Sequence, residues 1–170
     1  PEGIAFDTQS GHVFVVDGQD SEVYRFEPNG TFIGQFDVGS MGVGDPEGIA
    51  YDGLSDNLLV LDSSDGQVVE VTKTGVWVRD IELFAPDLDK PAGLVYRPAA
   101  SGATIRTLYV VDRQLDNSED NQENDGLLFE FQVPVDEHET PTPTSTSTDE
   151  PLPTATNTLP PTATDTPTAT

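Results

Sequence analysis

The chain has 170 residues, with 31 acids against 7 bases, a net charge of −24 and no Cys. The lack of Cys excludes disulfides and thiolate zinc sites. So acidic a surface repels nucleic acid and anionic membrane, which both need Lys or Arg to displace counterions, and no apolar run approaches the roughly 18 residues of a membrane span.

Elements follow a repeat of 45 residues. Pro1-Glu2-Gly3-Ile4-Ala5-Phe6-Asp7 returns as Pro46-Glu47-Gly48-Ile49-Ala50-Tyr51-Asp52, and more loosely as Pro91-Ala92-Gly93-Leu94-Val95-Tyr96-Arg97. The first unit predicts four short strands: Gly3–Phe6, Val13–Val16, Val23–Phe26 and Thr31–Val38. The second is apolar at every position, as expected when both faces are buried. Turn residues divide the strands, with Asn29-Gly30 supplying the backbone a tight hairpin needs. The second unit repeats the pattern. No stretch carries a 3.6-residue amphipathic period, so essentially no helix is expected.

The third unit starts its second strand late, at Thr107–Val111, after a longer Pro98–Arg106 connection. An acidic segment then separates Asp112 from a last strand, Leu127–Val133. No fourth strand follows. Four antiparallel strands every 40 to 50 residues mark the blade of a β-propeller, in which stacked neighbours cover each sheet's faces. The expected fold is all-β: a partial β-propeller of three blades of four-stranded antiparallel sheet (1–45, 46–90 and 91–135), the last blade lacking its fourth strand. A flat sandwich would not explain the return of Pro-Glu-Gly-Ile-Ala. Rings hold four to eight blades, and the chain opens on Pro1 at the start of a repeat without a visible leader. Roughly three further blades are therefore expected upstream, in missing N-terminal blades of the same chain that also supply the absent strand.

Residues 136–170 are expected to be a disordered Thr/Pro-rich linker or stalk. Pro141-Thr142-Pro143-Thr144 and Pro160-Pro161-Thr162 typify it. Such a segment buries too little apolar surface to offset chain entropy, and Pro favours extended conformations. Stalks of this composition point to an extracellular or cell-surface location.

The openings Pro-Glu-Gly-Ile-Ala-Phe/Tyr-Asp, each followed by an apolar strand ending in Asp17 or Asp62, resemble NHL-repeat six-bladed propellers, and within them the SdiA-regulated-like branch. The resemblance covers residues 1–133 and implies a fold rather than an activity. NHL units often carry a basic residue in the third strand; Arg25 fits and Glu70 departs from it. Calcium-dependent lactonases share the architecture, and in them a Glu before the inner strand is a calcium ligand. Glu2 and Glu47 resemble that Glu, whereas Ala92 takes the third equivalent position.

The candidate metal ligands are thus Glu2 and Glu47, with Asp116, Asp120, Glu123 and Asp125 of the acidic segment as a second set. Asn121-x-Glu123-x-Asp125-Gly126 is similar to the opening of a calcium loop, but its twelfth position is Gln132 and no helices flank it. A solvated loop is the simpler reading. Asp17, Asp62 and Asp112 end the second strands and are expected to accept turn-forming N–H bonds. His12 and His138 lie far apart without a partner pattern, so no catalytic residue is assigned. Asn29-Gly30-Thr31 is a formal glycosylation sequon whose turn role suffices to explain it, and Trp77 is expected in an outer strand in a blade-packing or rim role.

The leading expectation is a secreted, non-enzymatic binding module for a protein or glycan ligand, with calcium as candidate stabilising ion. The alternatives are a calcium-dependent hydrolase or lactonase with most of its active site in missing blades, and a structural spacer. Neither nucleic-acid binding nor direct membrane insertion is expected.

Overall fold

A computed structural model describes residues 1–97, 105–114 and 126–134. Three antiparallel sheets follow one another along the chain. The first holds β1 (Gly3–Phe6), β2 (Val13–Asp17), β3 (Glu22–Phe26) and β4 (Phe32–Asp37), in that spatial order. The second holds β5 (Pro46–Asp52), β6 (Asn57–Asp62), β7 (Gln67–Thr72) and β8 (Trp77–Glu82). The third holds β9 (Pro91–Arg97), β10 (Ile105–Asp112) and β11 (Leu127–Pro134). Among the described residues the sole helical element is a single 3-10 turn, Gly39–Met41, in the connector from β4 to β5. None of the described helices is long and apolar enough to cross a membrane.

The repeat extends to register. Gly3 faces Val16, Gly48 faces Leu61, and Gly93 faces Val111. The outer pairs share a bulge too, at Arg25/Phe26 and again at Glu70/Val71. Identical register and bulge placement in two sheets is what a repeated blade requires.

The core divides by junction. Ala5, Phe14, Val16 and Val23 of the first blade pack against Ile49, Leu58, Val60, Val69 and Val71 of the second. The second blade's opposite face, Ala50, Leu59, Leu61 and Val68, packs against Leu94, Leu108, Val110 and Val133 of the third. Side chains alternate across a strand, so one run of apolar residues serves both junctions. Leu58 through Leu61 are accordingly buried on both faces. β2 differs from the expectation of a doubly buried strand: Phe14 and Val16 are buried, while Val13 and Val15 are only half-buried. The reason is that the first blade is covered by a neighbour on one side.

The repeated spacing of Gly3, Gly48 and Gly93 has a steric cause. A Cβ on Gly3 would lie 2.9 Å from the Ile49 N atom and 3.0 Å from Gly48 Cα. A Cβ on Gly48 would lie 3.1 Å from the Leu94 N atom. The innermost strands of successive blades therefore approach backbone to backbone at these positions, which only Gly permits.

Candidate functional site

The inner strands β1, β5 and β9 have a leading end, where the chain arrives from the previous blade, and a trailing end. Chemistry-bearing side chains gather at both.

At the leading end the Asp closing each second strand holds a connector. Asp62 is fully buried and accepts from the Gly44 and Asp45 N–H groups, and from the Ser64 N–H and hydroxyl. Burial opposes its ionisation, but the Ser64 hydroxyl and the three N–H donors outweigh it and hold the carboxyl below its ordinary pKa. Asp112 does the same work in the third blade, accepting from the Asp89, Lys90 and Gln114 N–H groups. In the first blade Asp17 accepts from Gln19 and Asp20, and its second oxygen sits 2.9 Å from the Pro1 ammonium. The expected turn bonds are all present. The additional bonds of Asp62 and Asp112, back across 17 to 23 positions to the residues just before β5 and β9, tie each connector to its own blade.

Glu47 and Glu2 sit at this same end. Glu47 is nearly buried and meets the Arg113 guanidinium of the third blade at 2.5 Å. Its counterpart Glu2 is exposed beside Gly18, where the next blade's Ser63 position offers no cation. The two carboxylates thus have different surroundings, one paired and one solvated. Asp116, Asp120, Glu123 and Asp125 lie outside the described residues, between Gln114 and Gly126 in the sequence. Among the described residues no three His, Cys, Asp or Glu side chains gather as a metal-binding group. Glu2 and Glu47 alone do not make the six to eight oxygen ligands calcium takes.

At the trailing end a different device links blades. Asp7 directly follows β1 and Asp52 ends β5, and both are fully buried. Each accepts from an N–H two residues on (Gln9, Leu54) and a hydroxyl three residues on (Ser10, Ser55). Each also receives a cation from the next blade. Lys73 Nζ lies 3.0 Å from Asp7 and 2.5 Å from Asp56, and 5.7 Å from the centre of the Tyr51 ring. Arg106 reaches Asp52 at 3.0 Å and Glu70 at 3.4 Å. Glu70 is itself buried within a sheet and accepts from Asn57 and from Arg79, each at 2.8 Å. Two guanidinium groups thus compensate the Glu that takes the place of Arg25 in the second blade. In the first blade the equivalent cross-strand pair is Arg25 and His12. Arg25 Nη2 lies 2.7 Å from His12 Nδ1, and because Arg only donates, the His proton sits on Nε2. His12 is thereby held as a packing residue.

Burial pushes the Asp7 carboxyl up, but the Ser10 hydroxyl, Lys73 and the two N–H donors more than cancel it and leave it well below its ordinary value of 3.8. Its stabilising contribution is therefore present above the unfolded pKa and is lost as pH falls through the depressed folded value. Asp7→Asn is expected to cut stability at neutral pH and to flatten its acid dependence below pH 3.8, measured by urea titration at several pH values. An unchanged acid limb would show that Asp7 does not govern it.

Arg106 and Lys73 are structural residues that the sequence did not single out, and Glu70 stood out there only as a departure from a basic residue. Arg106 was expected in the connection before the third blade's second strand, whereas β10 begins at Ile105. A period-two reading of Arg106, Leu108, Val110 and Asp112, all buried, exposes it as an inward-facing residue.

Comparison with known proteins gives the same architecture. Residues 2–83 match the family model described as SdiA-regulated. No curated protein matches the chain. Among solved structures, a luciferin-regenerating enzyme superposes with a TM-score of 0.53 at 19% identity, over 76% of this chain and 43% of the other. A chain of a nidogen/laminin complex superposes with a TM-score of 0.51 at 26% identity, over 66% of this chain and 39% of the other. The chain thus spans about two-fifths of the length of those structures. Residues 2–83 thus resemble the SdiA-regulated family, and the three repeated antiparallel sheets are successive blades of a partial β-propeller.

Proposed function

We propose that the chain is a non-enzymatic binding module displayed at the cell surface, in which a rigid set of blades carries the acidic segment that binds a protein or glycan ligand. One observation carries this reading: Glu2 apart, the carboxylates described at the strand ends are engaged by the scaffold. Asp7 and Asp52 join blades, Asp62 and Asp112 hold connectors, and Glu47 is paired with Arg113. A catalytic acid or base needs freedom to exchange a proton with substrate, and these groups are committed to folded-state bonds. The acidic run from Asp116 to Asp125 is free of basic residues and favours a ligand with a basic surface. One of the superposable chains comes from a complex between two proteins, nidogen and laminin, which supports a recognition role. The Thr/Pro-rich 136–170 segment serves as the spacer from the anchor.

The test is binding to an array of glycans and basic peptides, by the chain and by a variant with Asp116, Asp120, Glu123 and Asp125 changed to Asn or Gln. Capture that the variant loses supports the proposal. Calcium-dependent turnover of lactones or aryl esters would overturn it in favour of a hydrolase. Labelling of intact cells with an antibody to the blades tests the location.

Calcium enters the proposal through those same four residues. Thermal melting in millimolar calcium is expected to rise for the chain and to stay constant for the neutralised variant, since a ligand that binds the folded state stabilises it by mass action. No rise removes calcium from the proposal.

A further inference from the structure

The junction between the second and third blades carries a charge swap. In the second blade Tyr51 of β5 faces Leu58 of β6, and Asp56, two residues before Leu58, accepts from the Tyr51 hydroxyl at 2.7 Å. In the third blade Tyr96 of β9 faces Leu108 of β10, and the residue two before it is Arg106. A guanidinium only donates. The Tyr96 hydroxyl therefore meets a donor where its counterpart meets an acceptor. Among the described residues neither the Tyr96 hydroxyl nor Arg106 Nε has a hydrogen-bond partner, and both atoms are buried. Arg106 is 6% exposed, and its two terminal nitrogens turn to Asp52 and Glu70. Diagonal neighbours on an antiparallel pair share a face, and long or aromatic side chains there reach one another. The two atoms thus border one corner of the junction. Burial, and then the Asp52 carboxylate, push the Tyr96 pKa above its ordinary value of 10.0, so the hydroxyl keeps its proton.

We propose that this corner binds one internal water molecule, held between Arg106 Nε and the Tyr96 hydroxyl. Leaving a buried donor without an acceptor is costly, and internal waters sit where two to four such groups converge. The charge balance selects water over an ion. The carboxylates of Asp52 and Glu70 meet the guanidinium groups of Arg106 and Arg79, two charges of each sign. A chloride or a cation would bring an extra charge into a balanced buried cluster. Water accepts from both donors with its two lone pairs. Its own protons are available to Asp52 and Glu70, whose oxygens can each take more than one bond. The water does for Tyr96 what the Asp56 carboxylate does for Tyr51.

Oxygen-17 relaxation dispersion on the full chain, which detects water held far longer than the hydration layer, tests the site. Tyr96→Phe is expected to lower the number of long-lived waters by one. Tyr51→Phe is expected to leave it unchanged, since that hydroxyl is bonded to a side chain. A crystal structure of the parent that resolves internal water is expected to place one molecule within hydrogen-bond reach of both atoms. The proposal is overturned by a Tyr96→Phe count equal to the parent's, or by equal losses in the two variants. It is also overturned by a crystal structure in which an ion fills the corner, or in which the Tyr96 hydroxyl bonds directly to a protein atom.

Discussion

Replacing Arg106 with Ala is expected to cost about 3 kcal/mol of stability, the scale set by removing one partner of a buried ion pair. The guanidinium lies between Asp52 and Glu70, and all three are buried. Without it Asp52 keeps the Leu54 N–H and the Ser55 hydroxyl, and Glu70 keeps Asn57 and Arg79. The carboxylates would then face each other's charge without the cation that separates them. Domains of this kind hold a net stability of about 5–15 kcal/mol, so the change is a large part of the whole. Arg113→Ala provides the contrast: that side chain is half exposed, and its pair with Glu47 is expected to be worth about 1 kcal/mol or less. Urea unfolding of both variants checks the order. Equal losses would show that the junction between second and third blades does not depend on its buried charges.

The second large effect concerns the repeated glycines. Gly3→Ala is expected to destabilise by about 1–3 kcal/mol, the usual range for overpacking. The added methyl would meet backbone atoms of Gly48 and Ile49 at 2.9 to 3.2 Å, and backbone cannot rotate away. Gly48→Ala is expected to cost less, since its contacts with Leu94 and Leu61 begin at 3.1 Å. Gly93→Ala is expected to cost least, because the atom it meets at 2.8 Å is a Val111 methyl that can turn. Melting temperatures of the three variants should fall in that order. A Gly3→Ala protein as stable as the parent would contradict the close approach of the inner strands.

The blades were legible in the sequence because a 45-residue offset returns the same residues to the same register. Gly3 and Gly48 announce themselves as a pair before any coordinates are known. Asp62 was half legible. Its bonds to Ser64 are local, whereas its bonds to Gly44 and Asp45 depend on the connector folding back over the end of β6. The junction ion pairs were not legible. Lys73 lies 66 positions from Asp7 and reaches it from a hairpin turn, while Arg106 reaches Asp52 from a strand, so no fixed spacing relates acid to cation. Glu47 read as a candidate ligand for the same reason: its partner Arg113 also lies 66 positions away, in the next blade.

That freedom of the cation has an evolutionary reading. In the first two units the acid stays at one place, with its Ser three residues on, and the neighbour supplies positive charge from whichever strand or turn comes near. A newly duplicated unit therefore meets a tolerant neighbour: were 46–90 copied in tandem, Asp52 would meet a second Lys73 just as Asp7 meets the first. Gain or loss of a unit can then precede the fine adjustment of its seams, and lineages can vary in unit number without first inventing a new joint.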